Sequence, residues 1–179
     1  MKKHNIVLIG FMGSGKTSNG IALSYKKKIP FVDTDHLIEQ AEKRPITEIF
    51  ATDGEECFRK AETACLTRLL ENTDKTIISV GGGTPVRAEN RPLLKQLGCV
   101  VYLRVKPETV IKRLKGDTTR PLLQGDNPEE TVRRLMEARE EAYADSADVI
   151  LDMDDYRNRD GVEAIVKAVK DFENREEKP

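Results

Sequence analysis

The chain has no tryptophan, two histidines and three cysteines among its 179 residues. His4 and His36 lie at no metal-ligand spacing, which argues against a zinc centre and against a Ser-His-Asp triad. Cys57, Cys65 and Cys99 are odd in number and form no CxxC pair, as expected of a reducing compartment, the cytoplasm, with no disulfide framework. A surplus of charge is also missing: 30 Lys+Arg stand against 31 Asp+Glu, for a net charge of −1. A duplex-DNA binder needs excess cations to displace counterions, so nucleic acid is not an expected partner. No apolar run approaches the roughly 20 residues that span a bilayer, so no membrane partner is expected either. The N-terminus begins with cations, but its apolar run, Ile6–Ile9, is short and leads into a glycine-rich turn; it reads as a first strand rather than a signal peptide. What remains for chemistry is Asp, Glu, Lys, Arg and backbone amides.

The length fits one domain over residues 1–179, with a core at about 4–173. Short apolar runs alternate with longer charged stretches. Ile6–Ile9, Phe31–Val32, Thr76–Val80, Cys99–Val105 and Asp148–Leu151 read as strands. Lys16–Lys27, Thr34–Glu42, Glu55–Leu70, Ala88–Leu97, Pro107–Lys115, Pro128–Tyr143 and Gly161–Phe172 read as helices. This βα alternation implies an α/β three-layer sandwich, a five-stranded parallel sheet with helices on both faces. The strands are apolar throughout, as burial on two sides requires. Gly116–Pro128, rich in Gly, Pro, Asp and Thr, breaks the rhythm; it is either a surface loop or a small functional lid. The tail from Asn174 to Pro179 is expected to be disordered.

Gly10-Phe11-Met12-Gly13-Ser14-Gly15-Lys16-Thr17 matches G-x-x-x-x-G-K-[ST] between an expected strand and an expected helix. Glycines at 10, 13 and 15 let successive N–H groups turn inward as an anion nest, and the helix adds its positive end. Lys16 is suited to the terminal phosphates and the Thr17 hydroxyl to Mg²⁺. A lysine in the first helical turn opposes the helix dipole, and bound phosphates resolve that conflict. Gly13, Ser14, Gly15, Lys16, Thr17 and Ser18 are therefore the expected phosphate-binding set of a nucleotide site, which the resemblance named below makes an ATP site. A switch GTPase is excluded, since no D-x-x-G occurs and the nearest guanine-reader candidate, Leu114–Asp117, has the wrong first residue.

Asp33 and Asp35 fall at the carboxyl end of the second expected strand, where open α/β sheets bind ligands. One carboxylate near Mg²⁺ and one near an acceptor hydroxyl suits a kinase; capping of the following helix is the structural alternative. Arg59 has Glu55 and Glu62 at helical spacing, so a surface ion pair is expected of it in isolation. Arg139 has no acidic neighbour three or four residues away, which suits a ligand-reader; packing on Tyr143 is the alternative. Gly81-Gly82-Gly83 at a strand end suggests close backbone approach to a ligand. Ser79 sits where many phosphate-loop proteins place a metal-binding acid, which gives Asp33 more weight as a metal ligand.

The ordered set of Gly10–Thr17, Asp33-Thr34-Asp35, Phe58-Arg59, Gly81–Gly83, Arg120-Pro121-Leu122-Leu123 and Arg139 followed by Tyr143 resembles shikimate kinase over nearly the whole chain. The resemblance implies a P-loop kinase fold with a small lid, ATP and shikimate as small-molecule substrates and Mg²⁺ as cofactor. It implies transfer of the γ-phosphoryl group to the shikimate 3-hydroxyl. Lys16, Asp35 and Arg120 would be catalytic; Asp35, Arg59, Gly81, Gly82, Gly83 and Arg139 would hold the acceptor; Thr17 and Asp33 would hold the metal. Arg113 would stack on adenine, with Tyr156 or Arg157 in the adenine loop. Arg120, on the lid, would close over the triphosphate and stabilise moving charge. Ser18-Asn19 departs from the family, which usually has Ser/Thr and then an aliphatic residue; Asn19 is expected to alter helix packing and not phosphate contacts. The competing readings are a gluconate or nucleoside monophosphate kinase, and a non-enzymatic nucleotide-binding module. A monomer is expected.

Overall fold

In this computed structural model the described residues are 3–115, 127–156 and 158–176. Five parallel strands form the sheet: β1 (Asn5–Ile9), β2 (Phe31–Asp33), β3 (Ile77–Ser79), β4 (Gly98–Arg104) and β5 (Val149–Asp152), in spatial order β2-β3-β1-β4-β5. The helices are α1 (Lys16–Lys27), α2 (Thr34–Glu42), α3 (Ile46–Asn72), α4 (Asn90–Leu97), α5 (Pro107–Leu114), α6 (Pro128–Ser146) and α7 (Asn158–Glu176). α1 and α7 pack together on the sheet, and α3, α4 and α6 form a second packed group, giving the three layers.

The central strands are almost wholly buried because both faces are covered; every residue of β1 and β3 is buried. The edge strand β5 differs. Its burial alternates, and Ile150 is exposed. An edge position covered on one face half-buries only every second side chain. Asn5 is a buried polar exception at the start of β1. Its Nδ2 donates to Leu97 O at 2.8 Å and its Oδ1 accepts from Thr76 N at 2.9 Å, joining the approaches to β4 and β3.

The largest departures from the expected bounds are in α3 and α7. α3 starts at Ile46, not Glu55, and bends at Gly54, whose φ of 80° and ψ of 172° separate two helical segments. The second segment is the one whose periodicity is visible in sequence. α6 starts at the expected Pro128, with Asn127 Oδ1 accepting from Glu130 N at 3.3 Å as its cap, and runs on to Ser146, three residues past the expected end. α7 begins at Asn158, three residues before the expected Gly161. It also continues through Glu176, so Asn174–Glu176 are helical rather than a disordered tail. The remainder of the expected lid, 116–126, and the tail 177–179 lie outside the described residues.

Register sets the site. Leu8 of β1 and Asp33 of β2 both pair with Ser79 of β3, so the segment after Ile9, the end of β2 and the glycine run after β3 leave the sheet side by side. The chain crosses to one side of β1 for β2 and β3 and to the other for β4 and β5, and this reversal opens a crevice at the strand ends.

Candidate active site

The Gly10–Thr17 loop wraps as its glycines allow: Gly13 and Gly15 adopt φ of 76° and 94°. Lys16 Nζ donates to Gly10 O at 2.9 Å and Phe11 O at 3.1 Å, which holds the ammonium at the loop mouth. The Ser14 hydroxyl is buried with no hydrogen-bond partner among the described residues. Thr17 Oγ1 donates to Asp33 Oδ2 at 3.2 Å, while Asp33 Oδ1 accepts from Asp35 N at 3.1 Å and caps α2. The capping role therefore uses Oδ1 and leaves Oδ2 turned to Thr17.

Asp35 faces a cavity of about 250 Å³ that Lys16, Thr17, Asp33, Ser79 and Gly82 also line. Its Oδ1 is buried and unpartnered among the described residues. Burial, then the charges of Asp33 and Glu62, raise its pKa to about 6 from 3.8, against the opposing pull of Lys16. A carboxylate so placed can take a proton from a hydroxyl group in this cavity.

A second cavity of about 380 Å³ brings Arg59 of α3 and Arg139 of α6 together beside Gly83. Arg59 keeps the expected surface pair, with Nε and NH2 donating to Glu55 Oε1 at 3.2 and 2.8 Å. It also reaches inward, where NH1 donates to Glu62 Oε2 at 2.7 Å. Arg139 NH1 contacts Gly82 O at 3.4 Å, and Tyr143 OH donates to the same carbonyl at 2.6 Å. The ring beneath Arg139 is Phe11, 5.6 Å away, so the guanidinium packs on the phosphate loop as well as lying beside Tyr143. Two of the three glycines let the backbone lie against the site's charged side chains in their present positions. A Cβ on Gly81 would lie 2.7 Å from Asp35 Oδ1, and one on Gly83 would collide with the Arg59 guanidinium.

Sequence reasoning missed two residues here. Glu62 is not a surface partner: its side chain is 1% exposed and accepts from Thr84 Oγ1 at 2.5 Å as well as from Arg59. The available signal was its place on the apolar stripe of α3, four residues after Phe58 and three before Cys65. Arg87 lines the cavity of Arg59 and Arg139 as a third guanidinium; its NH2 donates to Glu56 at 2.9 Å, and its NH1 is buried without a partner among the described residues.

A third and larger cleft, about 1050 Å³, runs from Gly13 and Gly15 past Arg113 to Met153, Tyr156 and Gly161. Arg113 NH1 donates to Gly13 O at 2.7 Å, so the expected adenine-stacking residue is anchored on the phosphate loop. Tyr156 lines the same cleft. Ser18 also lines the cleft. Arg120 and Arg157 lie outside the described residues.

The sequence model for shikimate kinase matches residues 12–170. A curated shikimate kinase from Symbiobacterium thermophilum is 40% identical over 169 residues, spanning 93% of this chain and 97% of that protein. The solved shikimate kinase from Acinetobacter baumannii in complex with shikimate superposes with a TM-score of 0.87 at 37% identity, covering 92% of each chain. A gluconokinase from Sinorhizobium meliloti shares the fold alone, at a TM-score of 0.58 and 16% identity. This chain belongs to the shikimate kinase family.

Proposed function

We propose that this chain transfers the γ-phosphoryl group of ATP to the 3-hydroxyl of shikimate, giving shikimate 3-phosphate and ADP, in the biosynthesis of chorismate and the aromatic amino acids. The observation that carries this reading is the adjacency of two cavities along the Gly81–Gly83 run: one is lined by the guanidiniums of Arg59 and Arg139, the other by Asp35 and the phosphate loop, and Arg139 NH1 reaches Gly82 O between them. Forked guanidiniums suit a carboxylate. Asp35 suits the hydroxyl next to it.

The loop amides and Lys16 hold the β- and γ-phosphates. Asp35 orients the 3-hydroxyl and takes its proton as the new oxygen–phosphorus bond forms; the bond to ADP breaks, and the electron pair leaves with ADP. Because phosphoryl transfer is largely dissociative, placement and charge outweigh the basicity of Asp35. Arg120 supplies positive charge to the transferring group. Thr17 and Asp33 offer two hard oxygen ligands, the small protein share typical of a Mg²⁺ held chiefly by phosphates and water. When bound, Mg²⁺ neutralises charge on the phosphate oxygens. Arg113 and Tyr156 bracket the base, with Arg157 beside Tyr156 in sequence. The three free cysteines support a cytoplasmic setting, and the monomer is the working form.

The test is ADP release from ATP and Mg²⁺ with shikimate, gluconate, AMP or no acceptor. Release should depend on shikimate. Equal release without an acceptor, or none with shikimate, would defeat the assignment.

A further inference from the structure

Tyr143 stands in the site but has no part in the proposed transfer. The residue is 1% exposed, and its OH donates to Gly82 O at 2.6 Å. Burial pushes its pKa up to about 12, so the hydroxyl keeps its proton and stays a donor at neutral pH. Its ring packs on that of Tyr102, 5.1 Å away, whose own OH donates elsewhere, to Glu140 Oε2 at 2.6 Å. Gly82 lies against the phosphate loop: a Cβ on it would stand 3.5 Å from Gly10 O, 3.6 Å from Met12 N and 3.7 Å from Tyr143 OH. Among the described residues the Gly82 carbonyl has two donors, Tyr143 OH and Arg139 NH1, and the second is long at 3.4 Å.

Arg139 differs from the other two guanidiniums of its cavity. Arg59 pairs with Glu55 and Glu62, and Arg87 with Glu56 and Glu89. Among the described residues no carboxylate meets Arg139; its neighbours are the Phe11 ring, the Tyr143 hydroxyl and Gly82 O. If the Gly82 carbonyl lost its short bond from Tyr143, it would draw on the one donor left, because an unmade hydrogen bond is costly. The guanidinium would then be held on backbone instead of standing ready for an anion. We infer that Tyr143 is a positioning residue: by satisfying Gly82 O it leaves the Arg139 guanidinium available to the carboxylate of the acceptor. The inference rests on the proposed function, which supplies that carboxylate to Arg59 and Arg139. Its mark is a penalty that depends on the charge of the acceptor, which a general loosening of the glycine run would not produce.

The test is steady-state kinetics of the wild type, Tyr143→Phe and Tyr102→Phe with shikimate and with its methyl ester, which keeps the ring and hydroxyls but not the negative charge. Tyr143→Phe should lower kcat/KM for shikimate about 5–10-fold, chiefly through KM, and for the ester by less than about twofold. The KM for ATP should not move. Tyr102→Phe removes a hydroxyl directed at Glu140 from the same ring pair and should leave both acceptors nearly unchanged. Equal losses for acid and ester would mean that Tyr143 only shapes the glycine run, and would overturn the inference; so would a Tyr102→Phe that matches Tyr143→Phe. A structure of the wild type with shikimate bound gives a second reading that needs no variant. Tyr143 OH should stay on Gly82 O while Arg139 turns to the carboxylate, and a Tyr143 that leaves the carbonyl would overturn the inference. Unchanged kinetics in Tyr143→Phe beside normal wild-type turnover would sink the inference and leave the proposed function standing. A wild type that phosphorylates neither acceptor would sink the proposed function and the inference with it.

Discussion

Gly10–Thr17 and the corner formed by Asp35, Arg59 and Glu62 meet at adjoining cavities but are built differently. The first is a contiguous run whose working groups are backbone amides, shaped by glycines and closed by Lys16 on its own carbonyls. The second is drawn from α2, α3, α6 and the glycine run, and its working groups are side chains held by other side chains. A backbone cradle tolerates change around it as long as its turn forms. A side-chain cluster transmits each loss to its partners, because a buried charge that loses its partner is costly. The nucleotide half should therefore be locally robust and the acceptor half collectively fragile.

The sharpest way to break this contrast is Asp35→Asn. It should lower kcat by about 10²–10⁴-fold, the range for a positioned proton acceptor, with ATP affinity close to wild type in an equilibrium titration. Normal turnover would remove Asp35 from the chemistry. Next comes Arg120→Ala, expected to reduce kcat by on the order of 10²-fold with a smaller change in the KM for ATP; an effect on KM alone would make it a binding residue only. Glu62→Gln should raise the KM for shikimate about tenfold or more, since Arg59 keeps only its exposed partner Glu55, and should leave the KM for ATP unchanged. Parallel rises in both constants would argue against separate halves.

A smaller effect concerns stability. The pKa of Asp35 is about 6 in the folded chain against 3.8 ordinarily, so between these values the folded state binds the extra proton and stability falls as pH rises. Above that window the ionised carboxylate is a net cost. Asp35→Asn should then raise Tm by a few degrees at pH 7.5, and the gain should vanish near pH 4. Thermal melts at the two pH values check the sign.

The same contrast explains what could be read from sequence. The phosphate loop is local, so its residues, their spacing and their strand–helix context are all present in one short segment, and Gly13, Gly15, Lys16 and Thr17 stand where that segment predicts. The parallel sheet was legible because the strands are short apolar runs, with β5 losing the pattern only where an edge face is open. Arg59 and Asp35 were legible as residues, but their surroundings were not. That Glu62 is buried depends on Thr84 approaching from beyond β3, and the packing of Arg139 on Phe11 joins positions far apart in the chain. Arg87 went unnoticed because nothing near it in sequence separates it from a solvated arginine. The early start of α3 was hidden by Gly54, which interrupts the helical periodicity.

The central claim is that the acceptor half works through a carboxylate tuned by its buried neighbours. The most direct measurement is the pH dependence of kcat/KM for shikimate at saturating MgATP, in the wild type and in Glu62→Gln. The wild type should lose activity below about pH 6 as Asp35 takes up its proton, and in the variant that acid limb should move to lower pH because a neighbouring negative charge is gone. Coincident limbs in the two proteins, or a wild type that keeps full activity down to pH 4, would contradict the account.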